Sequence, residues 1–426
     1  MSLPAFPRMM RLRQRFNLPP PVDIAAALEA EWPKVAARIQ PGNRIAVAVG
    51  SRGITNLQRI VAGVIERVRA AGATPFIVPA MGSHGGATPQ GQMELLAEYG
   101  ITEQALGVPI HAAMEAEQIG ATDDGVAVYF SAVARPADGV IVVNRIKPHT
   151  DFSGTLGSGI LKMMVIGLGK RMGAANFHLS ACRLGYEHVL RTSARVTLRS
   201  TPILCGVAIV ENQAHQTARL EILLPTNLEA RETELFAEAK QLMPKLPFND
   251  MDLLIVDRIG KNISGSGLDP NVVGRSVHGY SSLLADASRM APAIRRLFVR
   301  DLTPETHGNA IGIGMADVTT ARLVQSINRD VTAINALTAL TPQAAKMPIH
   351  FPTDRDAIAA ALRSVFPDGF AQAKVVRIAD TLSLEHIEAS EAYTPELAGR
   401  ADLEAMGEPE VMGFDAAGNL PEIGVA

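Results

Sequence analysis

The sequence predicts an α/β protein built from two domains with largely parallel sheets. From Arg44 onward, short continuous apolar runs alternate with segments whose apolar residues have helical spacing. Continuous apolar runs are typical of parallel strands that are buried on both faces. The chain has 426 residues, of which 47% are hydrophobic and 19% charged, and that length exceeds one ordinary core. We therefore expect two packed α/β domains.

The first domain is expected to span residues 1–247. Glycines follow several of its segments, as they do at the ends of helices and strands. The predicted helices here have the sequences LQRIVAGVIERVRAAG, PQGQMELLAEYG and ARETELFAEAKQ. The predicted strands have the sequences RIAVAVG, TPFIVPAMG, VAVYFS, GVIVVNRI, ILCGVAIVE and LEILL.

The second domain is expected to span residues 248–390, after a break at residues 246–250 marked by Pro and Asn-Asp. The alternation resumes there with MDLLIVDRI, AIGIGMADV, the helical TTARLVQSINRDVTAINALTAL, and AKVVRIA. The polar tail, residues 391–426, has no strong periodicity. We expect it either to pack back on the first domain or to remain loose.

Composition excludes several classes of function. The formal net charge is −3 and aromatic residues make up 4%, so neither nucleic acid nor an anionic membrane is an expected partner. The two cysteines, Cys182 and Cys205, are too few for a disulfide scaffold or a thiolate cluster. The sequence shows no signal-peptide core and no membrane-spanning apolar run. We expect a soluble cytoplasmic protein.

Four Gly-rich loops follow predicted strands, where ligands of open parallel sheets bind. Their sequences are GSRGITN, MGSHGGATPQ, NRIKPHTDFSGTLGSG and GKNISGSGLDPNVVGR. Arg52 in the first loop is a fork donor for carboxylate or phosphate, or else a surface cap of a strand. His84 and His149 in the next two loops are candidate acid/base groups, or else histidines that bond loop carbonyls.

The segment GTLGSGILKM resembles a phosphate-binding loop only in part. It departs from GxxxxGK[ST] because Leu161 precedes Lys162 and Met163 follows it, so hydrolysis of a nucleoside triphosphate is not expected. The backbone amides of Gly157, Ser158 and Gly159 remain candidates for holding a single phosphate.

Lys162 is unusual because it is a single ammonium between Ile160-Leu161 and the apolar run 163–166. Such a charge usually costs several kcal/mol unless it is paired or chemically altered. His178 lies sixteen residues further on and, taken alone, fits a histidine at a helix end. In the last loop, Lys261, Asn262 and Arg275 are candidate substrate contacts, or else parts of a solvated turn.

Together these pieces resemble the nickel-dependent lactate racemase family, over roughly Arg44 to His178. The features that carry the resemblance are the loop GSHGGATPQGQMELLAEYG, the pair Pro148-His149, and a small-residue turn that ends in Lys162 sixteen residues before His178. The loop GSRGITN stands where better-known members have an Asp-x-Thr-Arg-Pro-type signature. The chain therefore resembles a divergent member.

The resemblance implies a nickel-pincer nucleotide joined to Lys162 through a thioamide, with His178 as the protein ligand of nickel. Acylation would remove the charge of Lys162, so its apolar surroundings would no longer be unfavourable. The resemblance further implies that His84 and His149 form an acid/base pair and that Arg52 lies against cofactor phosphate and substrate carboxylate. The expected active site lies in the cleft between the domains.

The implied activity is that of an isomerase. It would be a racemase or epimerase that inverts a hydroxyl-bearing carbon of a 2-hydroxy acid or sugar acid by reversible hydride transfer. The implied partners are that small substrate and the enzymes that mature the cofactor. Purified protein can lack the cofactor. The sequence predicts no oligomeric state.

Two other hypotheses belong to different classes. A non-catalytic binding protein for a phosphorylated metabolite or nucleotide would use the same Gly-rich loops. A hydrolase would use His84 and loop amides, but the chain has no G-x-S-x-G nucleophile elbow.

Overall fold

The computed structural model describes residues 5–50, 53–152, 154–278, 292–367 and 369–423. Its α-helices are α1 (Ile24–Glu31), α2 (Pro33–Ala36), α3 (Leu57–Ala70), α4 (Pro89–Glu98), α5 (Glu103–Leu106), α6 (Ile160–Lys162), α7 (Lys170–Leu184), α8 (Tyr186–Ser200), α9 (Leu228–Gln241), α10 (Pro270–Val273), α11 (Ala321–Ser326), α12 (Arg329–Thr338), α13 (Asp354–Arg363) and α14 (Thr394–Leu397).

Strands alternate with these helices along most of the chain. They are β1 (Arg8–Gln14), β2 (Arg44–Val49), β3 (Thr74–Pro79), β4 (Ala116–Ala121), β5 (Ala127–Ser131), β6 (Gly139–Arg145), β7 (Ile203–Glu211), β8 (Thr217–Leu223), β9 (Asp250–Ile259), β10 (Ala293–Leu302), β11 (Val318–Thr320), β12 (Ile349–Phe351), β13 (Val375–Ile378), β14 (His386–Ser390), β15 (Leu403–Ala405) and β16 (Glu410–Val411).

The chain divides into two compact units, and the first comprises Leu18–His149 and Ser153–Met243. Its main sheet has the order β3-β2-β6-β7-β8, in which every pair is parallel except β7 with β8. Successive residues of β2 point into two different hydrophobic clusters, Ala46 into one and Ile45 and Val47 into the other. The sheet is therefore buried on both faces, as the continuous apolar runs predicted.

The second unit comprises Met1–Asn17, Thr150–Phe152 and Pro244–Ala426. Its sheet has the order β12-β11-β10-β9-β13-β14-β1-β15, and β16 also pairs with β1. The strands from β12 to β13 are parallel, and those from β14 onward are antiparallel. The predicted α/β class with largely parallel sheets is confirmed.

The units differ from the predicted domains at both ends of the chain. Residues 1–17 were assigned to the first domain, but β1 pairs with β14, β15 and β16 in the sheet of the second unit. The tail was expected to pack on the first domain or to remain loose. Instead its Met412 and Leu420 are buried in the core of the second unit. Pairing between strands almost 400 residues apart explains both differences, because local periodicity does not report it.

Individual elements of the second unit also differ from their prediction. The run AIGIGMADV was expected to form a strand, but only its last residue belongs to β11, and Ile313–Met315 form a 3₁₀ turn. Strand β10 was not predicted. It carries three arginines and an aspartate among its apolar residues, so its apolar run is interrupted.

Candidate functional site

Three of the four Gly-rich loops leave the sheet of the first unit on the side where its parallel strands end, here named the carboxyl edge. They follow β3, β2 and β6, which are adjacent and parallel, so their carboxyl ends lie side by side. The loop after β3 carries His84, and the loop after β6 carries His149. Arg52, in the loop after β2, lies outside the described residues.

Lys162 and His149 contact each other, and His149 lies in the loop that follows β6. The Nζ atom of Lys162 lies 2.7 Å from Nε2 of His149, within hydrogen-bond distance. His149 is 8% exposed, and Lys162 is half-buried at the end of α6. The lysine that looked out of place in an apolar run therefore has an imidazole partner. This contact joins two residues that the sequence singled out separately.

The turn after Lys162 ties this helix to the loop of His84. Residues Met163–Gly167 form a π-helical turn, a distortion that is frequent at functional sites. The carbonyl of Gly167 accepts a hydrogen bond of 3.1 Å from the amide of Gly82, two residues before His84. His84 itself is exposed, and its amide donates to the carbonyl of Met81.

Gly85 shows why this loop needs glycine. Its φ is +64°, and a Cβ atom there would overlap the backbone of Gly91 and Gln92 in α4. The loop is thus packed against the following helix, while the His84 side chain stays exposed.

Lys170 is a fully buried amine near the same edge. Its Nζ donates to the carbonyl of Pro79, the last residue of β3, over 2.7 Å. Burial lowers its pKa to about 8, and the negative charge of Glu115 opposes the shift. This amine is used to join α7 to the end of β3. Sequence reasoning did not single out Lys170.

His178 lies on α7, half-buried, beside an aromatic group that reaches His149. Phe177 makes an edge-on contact with Tyr186, with ring centroids 4.8 Å apart. Tyr186 in turn lies against the ring of His149 at 5.2 Å. No sequence pattern points to Tyr186 except its place after Gly185 at the start of α8.

Some of the backbone amides proposed to bind a phosphate already donate hydrogen bonds within the chain. The Ser158 amide donates to the carbonyl of Lys147, and the Lys147 amide donates back to Ser158, each over 2.9 Å. The next amides, at the start of α6, are bound by the carboxyl group of Glu232, whose Oε2 lies 3.0 Å from the Leu161 nitrogen. The Ser158 amide is therefore paired within the chain, and a protein carboxyl binds the amides that follow the 157–159 turn.

Glu232 lies beside the start of the helix that carries Lys162, and no sequence pattern identified it as a site residue. It is 1% exposed, and a Cβ at Gly159 would overlap its Oε1. Burial raises its pKa to about 7, and hydrogen bonds from the amides of Leu161 and Ile160 limit the rise. The available signal was spacing, because Glu232 falls on the apolar face of α9 with Leu228 and Leu235.

The fourth loop, after β9, lies in the second unit, and its candidate residues make internal contacts. Lys261 donates to the carbonyl of Gly265 over 2.7 Å, and Asn262 accepts from Thr303. Arg275 donates to the carbonyl of Met315 and to the carboxylate of Asp317, at 2.8 and 2.7 Å. These contacts organise the loop. Substrate binding by the three residues stays a prediction.

The described residues include neither a metal-binding cluster nor a helix that could span a membrane. No group of three or more His, Cys, Asp or Glu side chains there has the arrangement of a metal site. In the same ranges, no helix has the length and apolar character needed to cross a membrane.

The fold and the Lys162–His149 pair define an α/β protein with an amine–imidazole contact at the carboxyl edge of a parallel sheet. Residues 20–185 match the sequence model of the lactate racemase N-terminal domain. The match includes His84, His149, Lys162 and His178. The expected resemblance to the lactate racemase family is confirmed over this part of the chain.

Solved structures share the fold at low sequence identity. The lactate racemase apoprotein from Thermoanaerobacterium thermosaccharolyticum has a TM-score of 0.53 and 15% identity, and the alignment covers 88% of this chain and 99% of that one. A protein from Thermotoga maritima has a TM-score of 0.51 and 11% identity, with coverages of 85% and 98%. No curated protein sequence matches the chain.

Proposed function

We propose that the protein is a racemase or epimerase of the lactate racemase type, which inverts a hydroxyl-bearing carbon of a 2-hydroxy acid or a sugar acid. The observation that carries this proposal is the contact between Lys162 and His149 inside the lactate racemase N-terminal domain. Lys162 is the proposed attachment point of a nickel-pincer nucleotide, and its largely apolar surroundings favour an acylated, uncharged nitrogen over a free ammonium.

The residues of the chain fit the nickel of that cofactor better than they fit its phosphate. The imidazole of His178 is a nitrogen donor of the kind that suits nickel, and it lies on the helix that follows the Lys162 turn. The Ser158 amide and the first amides of α6 do not fit a phosphate, because Lys147 and Glu232 already bind them. The proposal therefore assigns no cofactor phosphate to the Ser158 amide, and phosphate contacts of the Gly157 and Gly159 amides stay a prediction.

When bound, the cofactor supplies a carbon that accepts and returns hydride. His84 and His149 are the proposed acid/base groups, one for each face of the reacting carbon. Each would hold the hydroxyl proton of the substrate while the carbon lacks its hydride. They follow different strands of one sheet edge, so they can approach a bound substrate from different directions. Arg52, Lys261, Asn262 and Arg275 are proposed to bind substrate carboxylate and hydroxyls.

The first test measures the intact mass of the protein after it has been produced together with cofactor-maturation enzymes. We expect an adduct of several hundred daltons on Lys162, nickel in stoichiometric amount, and no adduct on the Lys162→Arg variant. A panel of 2-hydroxy acids and sugar acids is then assayed for inversion. Loss of His84 or His149 should slow inversion by about 10²-fold or more. Unmodified Lys162 in protein made under these conditions would contradict the proposal.

The alternative of a phosphate-binding protein loses support from the same structure. It depended on open amides in the Gly-rich turn, and these are partly taken by groups of the chain itself. Its remaining test is simple, since a binding protein would retain ligand affinity in variants that lack His84 and His149. A cytoplasmic location, where two cysteines stay reduced and maturation enzymes are present, is part of our proposal.

A further inference from the structure

The contact between Lys162 and His149 has a use before any substrate is bound. The two nitrogens are 2.7 Å apart, and a hydrogen bond at that distance needs a lone pair on one of them. The pair can therefore hold the shared proton in two ways. In one, an ammonium donates to a neutral imidazole, and in the other, an imidazolium donates to a neutral amine.

The second state matters because only a neutral amine is a nucleophile. Lysine in water is almost entirely protonated near pH 7, so its acylation is slow unless a nearby base takes the proton. The half-buried amine of Lys162 faces such a base directly. We propose that His149 is the general base for covalent modification of Lys162, in addition to its proposed role toward substrate.

The step balances with one co-reactant, an activated acyl or thioacyl donor. The lone pair of Lys162 Nζ forms a bond to the acyl carbon, and the bond from that carbon to its leaving group breaks with its electron pair. Two protons leave Nζ between the ammonium and the acylated nitrogen. The first passes to Nε2 of His149 and on to solvent before the attack, which restores a neutral imidazole, and the second passes to Nε2 as the new bond forms. The inference rests on the proposed function only for the identity of the natural donor.

Modification has a consequence for the histidine itself. An acylated nitrogen is neutral and no longer presents an ammonium to Nε2. Its remaining N–H can still donate to Nε2, but the charged contact is lost. Tyr186, packed against its ring at 5.2 Å, remains to hold its orientation. Loading of Lys162 would thus leave His149 beside a neutral nitrogen instead of a charged amine.

The test uses the unloaded full chain and N-hydroxysuccinimidyl acetate, which donates acetyl without any enzyme. The rate of acetylation at Lys162 is measured by mass spectrometry of peptides. Exposed Lys346 serves as the internal reference. His149→Gln keeps a hydrogen-bonding side chain but cannot take a proton, and His188→Ala removes an exposed histidine of the same unit as the matched control.

We expect His149→Gln to slow acetylation of Lys162 by about 10²-fold, while Lys346 and the His188→Ala protein are unchanged. Added imidazole should restore the rate in His149→Gly, which opens a space for it. This rescue keeps the test decisive if a variant packs differently.

Three results would overturn the inference. They are equal rates in wild type and His149→Gln, a wild-type Lys162 that resists the reagent, and a slow His149→Gly variant that imidazole does not rescue. Absence of a nickel-cofactor adduct in cells would contradict the proposed function but leave these rates as they are, because the reagent needs no cofactor.

Discussion

Replacing Glu232 by glutamine should make the first unit more stable by about 3 kcal/mol at pH 8 and by less than about 1 kcal/mol at pH 5. Glu232 is a buried carboxyl that bonds the amides at the start of the helix carrying Lys162. Its Oε1 has no hydrogen-bond partner within the described ranges of the chain. Glutamine retains an oxygen for the Leu161 amide and carries no charge at any pH.

The size of the effect follows from the pKa of Glu232. Burial raises this pKa from 4.5 to about 7, so the native state binds the proton more tightly than the unfolded chain. The stability from this group is complete below pH 4.5 and is lost as the pH rises through 7. One pKa unit corresponds to about 1.4 kcal/mol, so the loss is about 3 kcal/mol at pH 8.

The assay is urea unfolding at pH 5 and at pH 8, followed by the fluorescence of Trp32. Trp32 is the single tryptophan and lies in a hydrophobic core of the first unit, so its signal reports that unit. Glu66→Gln changes an exposed glutamate on α3 and is the matched control, with no expected difference between the two pH values.

A Glu232→Gln variant that is no more stable than wild type at pH 8 would contradict this prediction. It would also fail if the difference between the two proteins were the same at pH 5 and pH 8. In the first case the helix start needs a charged carboxylate, and in the second the carboxyl does not titrate between these values.

Two further predictions concern other buried charges. Lys170→Met should abolish a rise in stability between pH 8 and pH 10.5, because burial lowers the pKa of Lys170 to about 8 and the unfolded chain binds its proton more tightly. Urea unfolding followed by Trp32 fluorescence measures this, and a wild type whose stability does not rise would contradict it. Asp257→Asn should destabilise the second unit by roughly 3 kcal/mol, since it removes the buried carboxylate that pairs with both Arg377 and Arg300, while Glu388 still pairs with Arg377. Circular dichroism with urea would show this loss, whereas Glu385→Gln at an exposed pair should change stability by about 0.5 kcal/mol or less, and equal losses would refute the assignment.

Much of the site could be predicted from the sequence, because its chemistry is local. His84 and His149 follow apolar runs that become adjacent parallel strands, and that arrangement places their loops at one edge. Lys162 was conspicuous as a charge in an apolar segment. The match to the lactate racemase N-terminal domain covers this same region.

Other parts of the site depend on contacts that no local pattern reports. The phosphate prediction for residues 157–159 treated the turn as open, whereas Glu232, seventy-one residues from Leu161, binds the amides next to it. Lys170 and Tyr186 likewise gain their positions from packing of α7 and α8. Arg52 lies outside the described residues, so its proposed role stays a prediction.

The sequence by itself determined the α/β class, the strands of the first sheet and the loops that carry reactive side chains. These properties follow from short-range hydrophobic periodicity and from glycine placement. Only the tertiary structure decided that β1 joins the sheet of the second unit, that Glu232 binds the start of α6, and that Lys162 meets His149. These contacts depend on how helices and strands pack in three dimensions, and short-range sequence patterns do not contain that information.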